Sequence, residues 1–418
     1  MNNIKTSFLK NVVLLTGLTG ISQLIPFLTL PLLQKYFYSP ENFGLLSVYA
    51  SFSLMFVKFS TFSYEFAIIK KENKNEALSV LKGASQILIA NTFFIALILF
   101  VLFCFFKSNF YVKTLGSFIF LVPFTMLFFG GYQILRYWFN WGKKYSTIGS
   151  SMIIKSMTAE SSKILQGLIG LTNYGLIVGR NVGEFFSFIF LFIPFISNDY
   201  NTLKKIKQKE VFKELKKNYK FPLYTMPSGI KGTLINVIFI TLFVKYFGIN
   251  KGGIIGISLS YTGAAFGIIS QSFSQVFYKK INELKNTELL KNLKKNTLLL
   301  SVFSLFSILI VQAIPNQIVI TLIGKNWIDL LPVIKVLIFS TCFSFISSSL
   351  SFTYIRVNRQ KEMLFFDVFH ILLIYFSILI GYNFTNDFMG TLTYYVIAQS
   401  IFYSFTIFLS FYFVQKLS

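Results

Sequence analysis

Two cysteines, one histidine and 15 acidic residues are all that this 418-residue chain offers to metal, redox or acid–base chemistry. Cys104 and Cys342 both lie inside apolar runs, so neither a disulfide frame nor a metal site is expected. One histidine and few carboxylates leave nucleophilic hydrolysis without its parts, and no catalytic triad is found. No G-x-x-x-x-G-K-[ST] loop is present: Gly229-Ile230-Lys231-Gly232-Thr233 has the wrong spacing and falls within an apolar span, which argues against an ATP-driven pump. A soluble domain is also missing, since the longest connector, 197–218, is only about twenty residues.

What the chain has is hydrophobic length. It is 54% hydrophobic and 13% charged, with a mean hydropathy of +0.64, the composition of a protein that lives in lipid. About twelve spans of membrane-crossing length are predicted, at 12–33, 43–69, 78–106, 115–138, 146–170, 174–196, 221–246, 252–278, 296–323, 329–355, 362–382 and 388–414. The first is too long for a signal-peptide core and lacks a small-residue cleavage site, so it is expected to be retained. Span 146–170 is the weakest, with Ser, Lys and Glu scattered through it. Dropping it would place the eight lysines between Lys204 and Lys220 outside, so it is kept as a bundle-lining helix with one polar face.

The basic residues alternate with these spans. The even-numbered connectors and the two tails hold 27 of the 39 basic residues, among them Lys70, Lys71, Lys74 and Lys82, Lys143 and Lys144, and Arg356, Arg359 and Lys361. The odd-numbered connectors hold six: Lys35, Lys107, Lys113, Lys245, Lys251 and Lys325. Positively charged loops stay in the cytoplasm, which puts both termini there. The formal charge of +24 is thus mostly a topology signal, and the cations do not cluster as on a nucleic-acid binder.

Six cations fall within the spans: Lys58, Lys155, Lys163, Arg180, Lys231 and Lys335. At about 2.5–3.5 kcal/mol each on insertion scales, six facing lipid would cost roughly 15–20 kcal/mol, so most are expected to line a wet interior. Glu65, Glu160 and Glu184 share those spans, leaving the interior net cationic and suited to an anionic cargo such as phosphate, pyrophosphate or sugar acids. Lys58 and Glu65 are seven apart, two turns along one face of the second span, and Glu160 lies three residues before Lys163. Arg180 and Glu184 form an i,i+4 pair, read either as a structural ion pair or as cavity lining. Lys163 reads equally as a snorkelling or a lining residue, and His370 as a packed histidine or a proton relay. The segment 203–215, with Leu203, Val211 and Leu215 among lysines, is either an amphipathic helix on the anionic leaflet or a plain basic connector.

The two halves echo each other. Lys35-Tyr36-Phe37 closes span 1 and Lys245-Tyr246-Phe247 closes span 7, while Pro26 and Pro31 are expected to break the former and Pro222 and Pro227 the latter. The expected fold is an all-α polytopic membrane protein of about twelve transmembrane helices in two parallel six-helix bundles around a central cavity. The bundles would be 1–198 and 220–418, joined by a basic cytoplasmic connector, 199–219.

Several short stretches, in order, resemble the polysaccharide transporter family, the Wzx-type O-antigen and capsule flippases of the MOP superfamily. They are Ser39-Pro40-Glu41-Asn42-Phe43-Gly44, Tyr64-Glu65-Phe66-Ala67-Ile68, Arg136-Tyr137-Trp138-Phe139-Asn140, Gly175-Leu176-Ile177-Val178-Gly179, Lys220-Phe221-Pro222-Leu223, Gln275-Val276-Phe277 and Gly324-Lys325-Asn326-Trp327. The resemblance covers nearly the whole chain. It implies a flippase, not an enzyme, that moves an undecaprenyl-pyrophosphate-linked oligosaccharide of lipopolysaccharide O-antigen, capsule or exopolysaccharide across the bacterial cytoplasmic membrane. Alternating access, driven by an ion gradient or the membrane potential, is implied with it. Its partners would be membrane lipids, a glycan polymerase and a chain-length regulator; no cofactor, metal or nucleic acid is implied. Arg136 and Glu65 match family motifs. Lys58, Lys155, Lys163, Arg180, Lys231 and Lys335 join Arg136 as substrate-binding candidates, and Glu65, Glu160 and Glu184 are the ion-coupling candidates. Two rivals are weighed against this: a MATE-like exporter, whose cationic drugs call for an acidic cavity, and a membrane glycan polymerase, for which a large extracytoplasmic loop is missing.

Overall fold

The computed structural model describes residues 2–357 and 359–416. The side chains of residues 2–13 and of scattered positions from 228 to 364 lie outside the description, and with them the charge assignments of Lys5, Lys10, Lys279 and Lys361 and the Gln275-Val276 part of one motif. The described chain is all-α and divides into two compact units, Met1–Val237 and Ile238–Ser418.

The first unit holds α1 (Asn2–Tyr36), α2 (Pro40–Phe59), α3 (Glu65–Ile68), α4 (Lys74–Phe105), α5 (Phe110–Leu115), α6 (Leu121–Trp141), α7 (Tyr145–Leu168), α8 (Thr172–Lys205), α9 (Gln208–Lys217) and the start of α10 (Met226–Glu283). The second holds the rest of α10, α11 (Asn286–Ala313), α12 (Asn316–Ile323), α13 (Leu330–Ser349), α14 (Phe352–Arg356), α15 (Gln360–Thr385) and α16 (Phe388–Gln415). Among the described residues, ten helical stretches are long and apolar enough to cross a membrane. The ten omit α7, which is helical but too polar to count, and take 221–263 as one stretch although α10 breaks at Gly248, whose φ of 82° few side-chain-bearing residues adopt.

Polar α7 packs closely between α1 and α8 because glycines admit it. Gly175, Gly179 and Gly183 recur every four residues along α8, and a Cβ on Gly183 would stand 2.7 Å from the Lys155 carbonyl of α7. On the other side of α7, Gly149 and Gly167 receive Leu18 and Phe37. Small residues at this spacing let helix backbones approach where lipid supplies no hydrophobic drive.

The connectors sort by parity. In the first unit the Trp141 indole donates to the Lys71 carbonyl (2.7 Å), the Trp138 indole to Asp199 (3.0 Å), Lys74 pairs with Asp199 (2.6 Å) and Lys71 with Glu214, which gathers connectors two, four and six at one end. At the other end Tyr38 donates to the Lys163 carbonyl (2.7 Å) and Phe118 stacks on Tyr174 at 3.7 Å. In the second unit the Arg356 side chain donates to the Ile281 carbonyl (3.2 Å), joining connectors eight and ten, while Lys251 pairs with Asp329 (2.6 Å) and lies over Phe388. Neighbouring helices therefore run in alternating directions within each unit, as the charge pattern requires.

Several expected spans change. Span 2 stops at Phe59, where Asn91 donates to the Phe59 and Ser60 carbonyls (2.8 and 3.2 Å) and Phe62 and Ser63 take left-handed φ values of 49° and 63°. Lys58 and Glu65 are therefore not two turns along one helix. Span 9 ends at Ala313, because Pro315 forces Ile314 to an extended ψ of 123° and α12 starts afresh. Pro26 and Pro31 do not interrupt α1, and the Thr29 hydroxyl bonds the Pro26 carbonyl (3.2 Å); Pro222 instead sits at the start of a π-turn over Phe221–Thr225 and Pro227 in the first turn of α10. Segment 203–215 carries α9, on whose inner face Val211 is buried and Leu215 packs on Gly83 of α4, while the lysines and Phe212 face outward. The two Lys-Tyr-Phe motifs do correspond, one ending α1 and the other preceding the break at Gly248.

Candidate functional site

A pocket of about 210 Å³ opens in the first unit where α2 ends, lined by Lys58, Ser60, Ser63, Glu65, Phe66, Phe129, Gln133 and Tyr137 with Thr225, Met226 and Gly229. The left-handed pair Phe62–Ser63 turns the chain so that Glu65, though on a separate helix, lines the same pocket as Lys58. Left-handed backbone at a bulky Phe is costly and recurs at functional sites. The Glu65 carboxylate accepts from the Thr61 hydroxyl. Burial pushes this carboxyl above the usual glutamate range, while the Thr61 hydrogen bond, Glu65's own backbone N–H and the charge of Lys58 draw it down.

Phe129, Gln133 and Tyr137 recur every four residues on α6 and form one wall. The edge of Phe66 meets Tyr137 at 5.0 Å. Arg136 lies 5.7 Å from the Tyr137 ring, and Lys155 stands 4.9 Å from the Phe129 ring. Lys58 and Glu65 line this pocket, whereas Arg136, next to Tyr137 in sequence, and Lys155 lie outside its lining. Lys231 lies two residues past the pocket-lining Gly229.

The buried carboxylates are neutralised. Glu184 pairs with Lys155 across α7 and α8 at 2.7 Å, correcting the Arg180–Glu184 pair expected from spacing; the Arg180 Nε is buried with no hydrogen-bond partner among the described residues. Glu160 accepts from Lys163 (2.6 Å) and from the Thr29 hydroxyl (2.9 Å), so Lys163 is held in an ion pair. That pair lies at the opposite end of the unit from the pocket, against Tyr38, whose hydroxyl is pushed up to about 12 by burial and then by the Glu160 charge. Arg180 sits beside a polar knot in which the Tyr49 hydroxyl meets Thr125 (2.6 Å) and Asn181 donates to Tyr49 (3.0 Å). Lys335 belongs to the second unit, on α13, where its carbonyl accepts from Gln312 (2.8 Å). His370 is fully buried, stacked on Phe402 at 3.8 Å and bonded to Gln399 (2.9 Å), a packed histidine. No cluster of metal-ligating side chains occurs among the described residues.

Sequence reasoning missed Gln133 and the clamp of Lys71 on Glu214. The signal for Gln133 was its place as a polar residue in an apolar run, four residues before Tyr137. The clamp joins residues 143 apart and left no local sign.

The fold is that of MOP-superfamily transporters. Lipid II flippase MurJ in an inward closed conformation superposes with a TM-score of 0.74 at 15% identity, over 95% of this chain and 87% of that one. An inward-facing multidrug resistance MATE family transporter of the MOP superfamily gives 0.67 at 12%, over 96% and 94%. A MOP superfamily transporter from Pyrococcus furiosus, described as having a binding pocket of reverse polarity, gives 0.52 at 14%, over 98% and 96%. The chain belongs to the polysaccharide biosynthesis protein family, which matches residues 8–236. No curated protein matches the chain in sequence.

Proposed function

We propose that this protein is a flippase that carries an undecaprenyl-pyrophosphate-linked oligosaccharide across the bacterial cytoplasmic membrane for O-antigen, capsule or exopolysaccharide synthesis. Twelve spans in two six-helix bundles, 1–198 and 220–418, would rock around a central cavity, with the connector 199–219 and both termini in the cytoplasm. A glycan polymerase and a chain-length regulator would receive the product.

One observation carries this reading. Glu160 and Glu184 are each matched by a lysine, while Lys58, Arg136 and Arg180 form no ion pair among the described residues. The surplus charge inside the first unit is therefore positive, which suits a pyrophosphate and disfavours a cationic drug. Lys58, Arg136 and Arg180 are the substrate-binding residues in this reading, with Lys231 and Lys335 assisting; Lys155 and Lys163 serve by neutralising buried carboxylates. Glu65, its proton affinity raised by burial, is the coupling carboxylate, in preference to the paired Glu160 and Glu184.

Deletion of the gene tests the proposal. Lipid-linked oligosaccharide should accumulate and surface glycan be lost, both restored by wild type and not by Lys58→Ala or Arg136→Ala at equal protein level. Normal surface glycan in the deletion strain would support the exporter reading.

A further inference from the structure

The pocket at the end of α2 offers donors and acceptors together: Lys58, Ser60, Ser63 and Thr225 line it beside the Glu65 carboxylate and the Gln133 side-chain oxygen. That Gln133 oxygen is buried and has no hydrogen-bond partner among the described residues. A buried acceptor left alone is costly, so the site is built for an incoming donor. Phe66, Phe129 and Tyr137 add aromatic surface, whose negative faces favour C–H groups. Hydroxyl or acetamido N–H donors on a ring with apolar C–H faces describe a sugar. The volume suits one ring, not a whole repeat unit.

We infer that this pocket reads a single sugar ring of the lipid-linked glycan, with Gln133 and Glu65 accepting from its hydroxyl or acetamido groups, Tyr137 and Phe129 packing on its face, and Lys58 donating from the end of α2. The inference rests on the flippase reading and adds to it a sugar-specificity site distinct from phosphate recognition.

The test uses the full-length protein in lipid nanodiscs and two probes: the lipid-linked repeat unit isolated from the deletion strain, and undecaprenyl pyrophosphate without sugar. Wild type should bind the sugar-bearing lipid about tenfold more tightly than the bare one, the size of one satisfied buried hydrogen bond. Gln133→Leu should bring the two affinities within about twofold while leaving the bare lipid's affinity unchanged, as expected when only that hydrogen bond is lost. Gln133→Asn, which withdraws the amide by one methylene, should do the same and serves if the Leu variant does not fold. An undiminished preference in both variants, or none in wild type, would overturn the sugar pocket while leaving the flippase reading in place. Failure of wild type to bind either lipid would overturn both.

Discussion

Lys155 on α7 reaches Glu184 on α8 at 2.7 Å and so takes the partner that spacing along α8 assigns to Arg180. The bond is asymmetric: the Glu184 side chain is 2% exposed and that of Lys155 31%. Lys155→Met should therefore cost more stability than Glu184→Gln. The first strands a buried carboxylate, at about 3 kcal/mol, and the second frees a lysine that water already reaches. Thermal unfolding of the purified protein checks the order, and a Lys155→Met/Glu184→Gln double variant should recover part of the larger loss.

Gly183 should tolerate no side chain. Alanine there would place Cβ 2.7 Å from the Lys155 carbonyl, a backbone atom that cannot swing away. The two helices would have to separate, lowering stability by about 1–3 kcal/mol. Alanine at Gly17, where nothing lies within 4 Å, is the matched control and should leave the melting temperature unchanged.

Glu65 predicts a pH dependence. Burial raises its folded-state pKa, so the protein favours the protonated carboxyl. The contribution to stability is full below the ordinary glutamate value near 4.5 and is lost as pH rises through the raised folded value. Glu65→Gln, permanently neutral, should flatten that part of the stability profile and be the more stable form above it. Chemical unfolding of both proteins across this range provides the comparison.

Connector parity predicts labelling. Single cysteines at Lys205 and Lys291, in a protein with Cys104 and Cys342 replaced by serine, should react with impermeant thiol reagents only from the cytoplasmic side. Cysteines at Lys113 and Lys325 should react only from outside. Outward labelling at Lys205 or Lys291 would invert the topology.

The sequence made the fold legible where the signal was local or cumulative. Hydropathy marks the long helices, and lysine alternation rescues α7, which is too polar to find otherwise but whose neighbours' directions depend on it. Helix ends were harder: Ser60, Thr61 and Ser63 after Phe59 are small hydroxyl residues that a membrane helix also carries, and only the left-handed turn at Phe62 and Ser63 shows that the helix stops. Charge partners were least legible. The i,i+4 rule favours Arg180 for Glu184, yet a glycine-lined contact brings Lys155 closer, and no single-helix rule carries that information. Of the pocket, Lys58 and Glu65 were visible as charges, while Gln133 gained its meaning only once its oxygen was seen buried in the same pocket.

The central claim concerns the side of the membrane on which the glycan lies. Lipid-linked oligosaccharide in right-side-out and inverted vesicles from the deletion strain can be oxidised with an impermeant reagent and compared with the wild-type-complemented strain. If the protein is the flippase, the deletion strain's oligosaccharide reacts only in inverted vesicles, and complementation moves it to the outer leaflet. Equal outer-leaflet labelling with and without the protein would contradict the account.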